Sequence, residues 1–225
     1  MLRMFAWRIC FELLNLKKLL IEDKTQVFYF AYGANLDKEV LKDRKISPLE
    51  EKEFVAENFE LQFSHPGPYE GMGFASLIKK PGAKTYGKLY RLTQTDLKRL
   101  DYYELVPFLG RYKREEVRQN GLVFYIFTSG HPAQNLKPTK SYKDSILNGL
   151  KTIQGAPDSY IRHIESIEVL ETCIPAKTLN FIFNSSKCNK PMVKILFQKL
   201  DQICVRLFIN HIIDRSLTER FIRVD

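Results

Sequence analysis

Four cysteines (Cys10, Cys173, Cys188, Cys204) are scattered over 225 residues, and no two form a Cys-x-x-Cys pair. That spacing excludes a disulfide framework and a cysteine zinc cluster, and it suits a reducing compartment, so a cytoplasmic location is expected. The four histidines are isolated, which leaves no ligand constellation; neither metal nor cofactor is expected. No Gly-Lys-Ser/Thr occurs and no second glycine stands at phosphate-loop spacing, which excludes a nucleotide loop of that kind. No serine or cysteine sits in a nucleophile elbow. Uninterrupted apolar runs fall short of the ~18 residues of a membrane span. The most apolar stretch, residues 1–21, is broken by Arg3, Arg8, Glu12, Asn15, Lys17 and Lys18, and no small-residue cleavage site follows it.

What is present is a core-forming composition, 44% hydrophobic, with a net charge of +9. The charge sits at the ends. Residues 27–174 hold 21 Lys+Arg against 19 Asp+Glu, whereas residues 175–225 hold nine against four and residues 1–26 hold five against three. Basic extensions therefore raise the pI. Solvated helix faces account for them; contact with an acidic surface is the sharper alternative. Without aromatic-basic interleaving or a nucleic-acid motif, no nucleic-acid partner is expected.

Three regions follow. In residues 1–26, Leu2, Ala6, Ile9, Leu13, Leu16 and Leu20 recur at four- and three-residue spacing, one stripe of an amphipathic helix. In residues 175–225, Asn189 and Pro191 read as a helix start, followed by a stripe of Val193, Leu196, Leu200, Ile203 and Leu207. Each stripe needs a surface: the other helix or the central domain first, then a homodimer partner, then a membrane interface helped by Trp7.

The central residues 27–174 read as strand-rich. Strands are expected at 27–32, 56–62, 74–79 and 84–91, and a short helix at 37–45. Thr93 and Asp96 form a capping-box-like start for a helix over 95–104. Asn120-Gly121 joins strands 112–118 and 122–128 in a hairpin. Helices are expected at 141–153 and 157–167. The fold class is α+β, a mixed, curled sheet or small partial barrel with flanking helices.

Two segments carry chemistry. Tyr29, Phe30, Ala31, Tyr32, Gly33 and Ala34 make an aromatic strand that runs into a glycine turn, where backbone N–H groups can face an anion. Glu104 is a lone carboxylate among Tyr, Leu, Val, Pro and Phe, a setting that can raise a glutamate from its ordinary value of about 4.3 toward the range of a general base. Oriented donors and one proton-transfer carboxylate suffice for acyl transfer. The plain alternatives are a strand–helix turn and a surface glutamate. Asp101, three residues earlier, reads as a helix-face ion pair or cap. His65 stands in a Gly/Pro-rich loop over 64–73, either as a second acid/base or without a role.

These residues also carry a resemblance. Tyr29-Phe-Ala-Tyr-Gly-Ala-Asn-Leu36 resembles the opening motif of the γ-glutamylcyclotransferase family, Leu100-Asp101 to Glu104 and Tyr112 resembles its catalytic segment, and Lys137-Pro138 to Tyr142, Gly149, Pro157 and Tyr160 resembles its late motif. The three fall in the family's order. The resemblance implies a small-molecule γ-glutamyl substrate, closed to 5-oxoproline with release of an amine. It implies Glu104 as general base and then acid, residues 29–34 as the γ-glutamyl binding segment, and Tyr112 and Tyr142 in the pocket. Ala34 stands where the family commonly has Ser or Thr, and Leu105 where it has Gly. The alternatives are a γ-glutamylamine substrate and a non-enzymatic module that keeps the pocket for binding or assembly.

Overall fold

A computed structural model describes residues 22–171, apart from Pro68, Leu105 and residues 107–110. The amphipathic stripes of the two ends, all four cysteines and Leu105 lie outside the described residues. Residues 22–25 lead directly into the first strand. No described helix is long and apolar enough to cross a membrane.

Five strands form one mixed sheet: β1 (Gln26–Ala31), β2 (Glu50–Pro66), β3 (Gly73–Thr93), β4 (Tyr112–Gln119) and β5 (Leu122–Ser129), in the order β2-β3-β1-β5-β4. β1 runs antiparallel to β3 and parallel to β5, and the β2–β3 and β4–β5 pairs are antiparallel hairpins. The sheet is not closed by a ladder. Its edges nevertheless approach at Gln119, whose side-chain amide donates to the Val55 carbonyl (2.9 Å) and accepts from the Glu57 N–H (2.9 Å). One side chain thus does locally what a strand pair would do.

Among the described residues, four helices flank the sheet: α1 (Lys38–Asp43), α2 (Gln94–Tyr103), α3 (Lys140–Leu150) and α4 (Asp158–Ser166). Three of them, all but α4, start on a side-chain cap. Asp37 accepts from the Glu39 N–H, Thr93 from Asp96 and Thr139 from Tyr142. α1 ends where Lys45 turns left-handed (φ 56°) and the Ile46 N–H returns to the Leu41 carbonyl at 3.0 Å, a Schellman-type stop.

The core joins β1 (Tyr29, Phe30, Ala31), β3 (Leu89, Tyr90, Leu92), β5 (Phe124, Ile126, Phe127), α2 (Leu97, Leu100) and α3 (Ile146, Leu150). Two glycines are set by close approach. A Cβ on Gly87 would stand 2.2 Å from the Ala31 carbonyl, and one on Gly149 would stand 2.4 Å from the Cβ of Leu36. The second contact lets α3 lie against the short 3-10 turn Ala34–Leu36 that follows β1.

Two expectations are corrected. The three separate strands expected between residues 56 and 91 are two long ones, because β3 continues through Pro81-Gly82. Four residues of β3 (80–83) face the single residue Asn58, so Pro81 lies in a bulge where its missing N–H breaks no ladder bond. His65 is not in a loop; it is buried in β2, opposite Phe74.

Candidate functional site

Glu104 caps the C-terminal end of α2. Its N–H donates to the Leu100 carbonyl (2.8 Å), and its carbonyl accepts from the Tyr112 N–H (3.3 Å), which sets the start of β4 beside it. The helix is held by Leu97 and Leu100 in the core, so the carboxylate stands on a rigid element. Its side chain is only 16% exposed.

The carboxylate is not alone among apolar side chains, as the sequence suggested. Arg44, 4% exposed, donates from Nη1 to Glu104 Oε1 at 2.8 Å. This arginine ends α1. Nothing in its local sequence marks it, since the pairing spans 60 positions. Among the described residues, Glu104 Oε2 has no hydrogen-bond partner.

The four tyrosines singled out from the sequence are all buried. Burial pushes every one of their hydroxyls above the ordinary phenol range, and the charge of Glu104 pushes them further. Each stays a neutral O–H. Their partners differ. Tyr29 accepts from Asn35 Nδ2 (2.8 Å), and Tyr32 donates to the Phe127 carbonyl. Tyr112 donates to the Ala75 carbonyl (2.8 Å), while the Ala75 N–H donates to the Tyr142 hydroxyl (3.2 Å). Ala75 is the one residue of β3 that faces Phe63 and Ser64 in the second β2–β3 bulge. Two tyrosines from β4 and α3 therefore clamp a single peptide of β3.

The glycine turn packs against Tyr142. Gly33 lies between β1 and the 3-10 turn, its carbonyl accepting from the Leu36 N–H (3.0 Å). The Ala34 amide contributes, with that of Ala75, to the polar surroundings of the Tyr142 hydroxyl. A Cβ on Gly33 would stand 3.4 Å from that hydroxyl, so the bare Cα lets Tyr142 come up to the turn. Phe30 and Ala31 lie wholly in the core; their side chains build the wall behind the turn. Asn35 lies within the motif of residues 29–36, but the sequence alone gave it no role.

Beside Tyr112 lies a second polar group. The His65 ring stacks on the Tyr112 ring (centroids 3.8 Å apart), and its Nδ1 is 3.0 Å from Ser129 Oγ. Burial, then the charge of Arg111, holds His65 well below the usual imidazole range. Arg111, lowered to about 10 by burial, donates to the Pro66 carbonyl. Asp101 faces away, paired with Arg114 at 2.7 Å.

A half-buried carboxylate, one cation in contact with it and neutral hydroxyls around it can bind a polar molecule and move one proton. The comparisons with known proteins agree on the class. The family described as gamma-glutamyl cyclotransferase, AIG2-like matches residues 29–144, a span that contains Glu104 and all four tyrosines. The chain is 27% identical to a Bos taurus protein named gamma-glutamylcyclotransferase over 158 residues, 65% of this chain and 81% of that one. A solved gamma-glutamyl cyclotransferase superimposes with a TM-score of 0.55 at 24% identity, over 71% of this chain and 97% of that one. A Homo sapiens protein described as uncharacterized follows at 0.54 and 24%, over 71% and 96%. These two share the fold. With its family match covering half its length and enclosing the Glu104 cluster, the chain belongs to the AIG2-like gamma-glutamyl cyclotransferase family.

Proposed function

We propose that the protein is an enzyme that closes the γ-glutamyl group of a γ-glutamyl amino acid or amine to 5-oxoproline and releases the free amine. Family membership supports the class, and the name of the bovine relative supports the reaction. The observation that carries the reading is Glu104, a carboxylate fixed at a helix end among buried tyrosine hydroxyls.

The reaction is intramolecular. The substrate's α-amine attacks its own γ-carbonyl, a C–N bond closes the five-membered lactam, and the C–N bond to the leaving amine breaks. An enzyme needs to select the folded-back conformer, and proximity supplies much of the rate. At neutral pH the α-amine carries an extra proton. Glu104 accepts it through Oε2; the attacking nitrogen sheds a second proton as the lactam forms, and Glu104 passes both in turn to the leaving nitrogen, which departs as an ammonium, so the proton count balances without a covalent intermediate. Tyr29, Tyr32, Tyr112 and Tyr142 remain protonated throughout and act as neutral donors and walls. Residues 29–34 receive the γ-glutamyl group. The oxyanion that develops on the γ-carbonyl is met by donors gathered near the Gly33 turn, the Tyr142 hydroxyl among them.

Purified protein incubated with γ-glutamyl dipeptides, glutathione and γ-glutamyl-ε-lysine will yield 5-oxoproline from at least one of them. Absence of product from all would leave the binding-module reading in its place.

A further inference from the structure

We propose that Arg44 is a positioning residue for Glu104: by holding Oε1, its guanidinium fixes Oε2 as the oxygen that takes the substrate's proton. The role rests on the cyclotransferase reading above, but the contact itself can be tested without any turnover.

Four observations support it. Nη1 meets Oε1 at 2.8 Å, a charge-assisted hydrogen bond, with both groups shielded from water. Arg44 is itself immobilised, since the Schellman-type stop of α1 fixes its backbone and its guanidinium lies 5.3 Å from the Tyr103 ring centroid. Glu104 is the C-cap of α2, held by its backbone N–H on the Leu100 carbonyl, which fixes the main chain but not the orientation of the carboxylate. Finally, Oε2 has no partner among the described residues, so the pair is one-sided: one oxygen engaged, one available.

The groups that face the carboxylate are Tyr29 on β1, Tyr32 just after it, Arg111 just before β4, Tyr112 at the start of β4, Tyr142 on α3 and Arg44 itself. The tyrosines are neutral, so removing Arg44 takes away the one cation in direct contact among the described residues. Lysine carries the charge but not the planar fork, so it recovers only part of the geometry. A positioning role predicts a fall in kcat with little change in KM, because Arg44 touches the base and not the substrate.

The test follows Glu104 directly. Crystal structures of the full-length protein as wild type, Arg44→Lys and Arg44→Met compare the orientation of the Glu104 carboxylate. In Arg44→Met the carboxylate leaves its wild-type orientation or spreads over several, since the hydrogen bond that holds Oε1 is gone, and in Arg44→Lys it departs less. In the 5-oxoproline assay, Arg44→Met lowers kcat ~10- to ~100-fold with KM little changed, and Arg44→Lys recovers part of the loss. A carboxylate that keeps its wild-type orientation in Arg44→Met, or unchanged kcat in both variants, overturns the proposal. Should Arg44→Met fail to fold, Arg44→Lys decides by the same two readouts. Should the wild type turn over no substrate, the cyclotransferase reading fails, and the carboxylate orientation alone decides whether Arg44 positions Glu104.

Discussion

Tyr112 and Tyr142 show how a side chain chosen from a motif can carry two duties. Both hydroxyls are tied to the Ala75 peptide, so removing either leaves a buried backbone group without its partner. Tyr112→Phe and Tyr142→Phe are each expected to cost about 1–3 kcal/mol in denaturant unfolding, whatever happens to turnover. The double variant is expected to depart from additivity, because the two tyrosines share one peptide. Equal stability of Tyr112→Phe and wild type would show that the clamp contributes nothing. At this scale the sequence was informative about Glu104 and the tyrosines, whose types and spacing stand out. It was silent about Arg44, Asn35 and the Ala75 peptide. A contact spanning 60 positions leaves no trace in local pattern, and a backbone group freed by a bulge has no signature of its own.

Among the elements, the hairpin of β4 and β5 was read directly from Asn120-Gly121, both of which take positive φ (52° and 76°). Gly121→Ala should lower stability by about 1 kcal/mol, since alanine pays for a left-handed backbone that glycine adopts freely; an unchanged unfolding midpoint would contradict that account. Helix starts were legible for the same reason: Thr93, at the start of α2, caps through a side chain visible in the sequence. The long β2–β3 hairpin was not. Pro81 and Gly82 look like a break, yet Asn58 (φ 63°) and the hydrogen bond from the Gly82 N–H to its Oδ1 (2.9 Å) absorb them in a bulge. Tertiary pairing overrides local punctuation there. The Gln119 bridge between the open edges was equally hidden. Gln119→Ala removes both of its hydrogen bonds and should lower the melting temperature by a few degrees, an expected loss of about 1 kcal/mol per bond, with the fold retained in far-UV circular dichroism.

For the molecule as a whole, His65 gives the pH response. Burial holds it well below the usual imidazole range in the folded protein, whereas the unfolded chain titrates near 6.5. Below that pH the unfolded state binds a proton that the folded state refuses. The stability His65 supports is therefore complete above about 6.5 and is lost as the pH falls toward its depressed folded value, at up to about 1.4 kcal/mol per pH unit. His65→Gln should flatten the melting-temperature profile between pH 5 and about 6.5; an equally steep profile would place the proton elsewhere. The same cluster of Glu104, Arg44 and tyrosines unites helix α2, strand β1 and helix α3, so the fold and the proposed chemistry depend on one another. The most direct measurement is mass-spectrometric detection of 5-oxoproline from the γ-glutamyl panel, with wild type and Glu104→Gln side by side. The account predicts product from the wild type and a loss of ~100-fold or more in the variant, with ligand binding retained. Product formed equally by both proteins, or by neither, would contradict it.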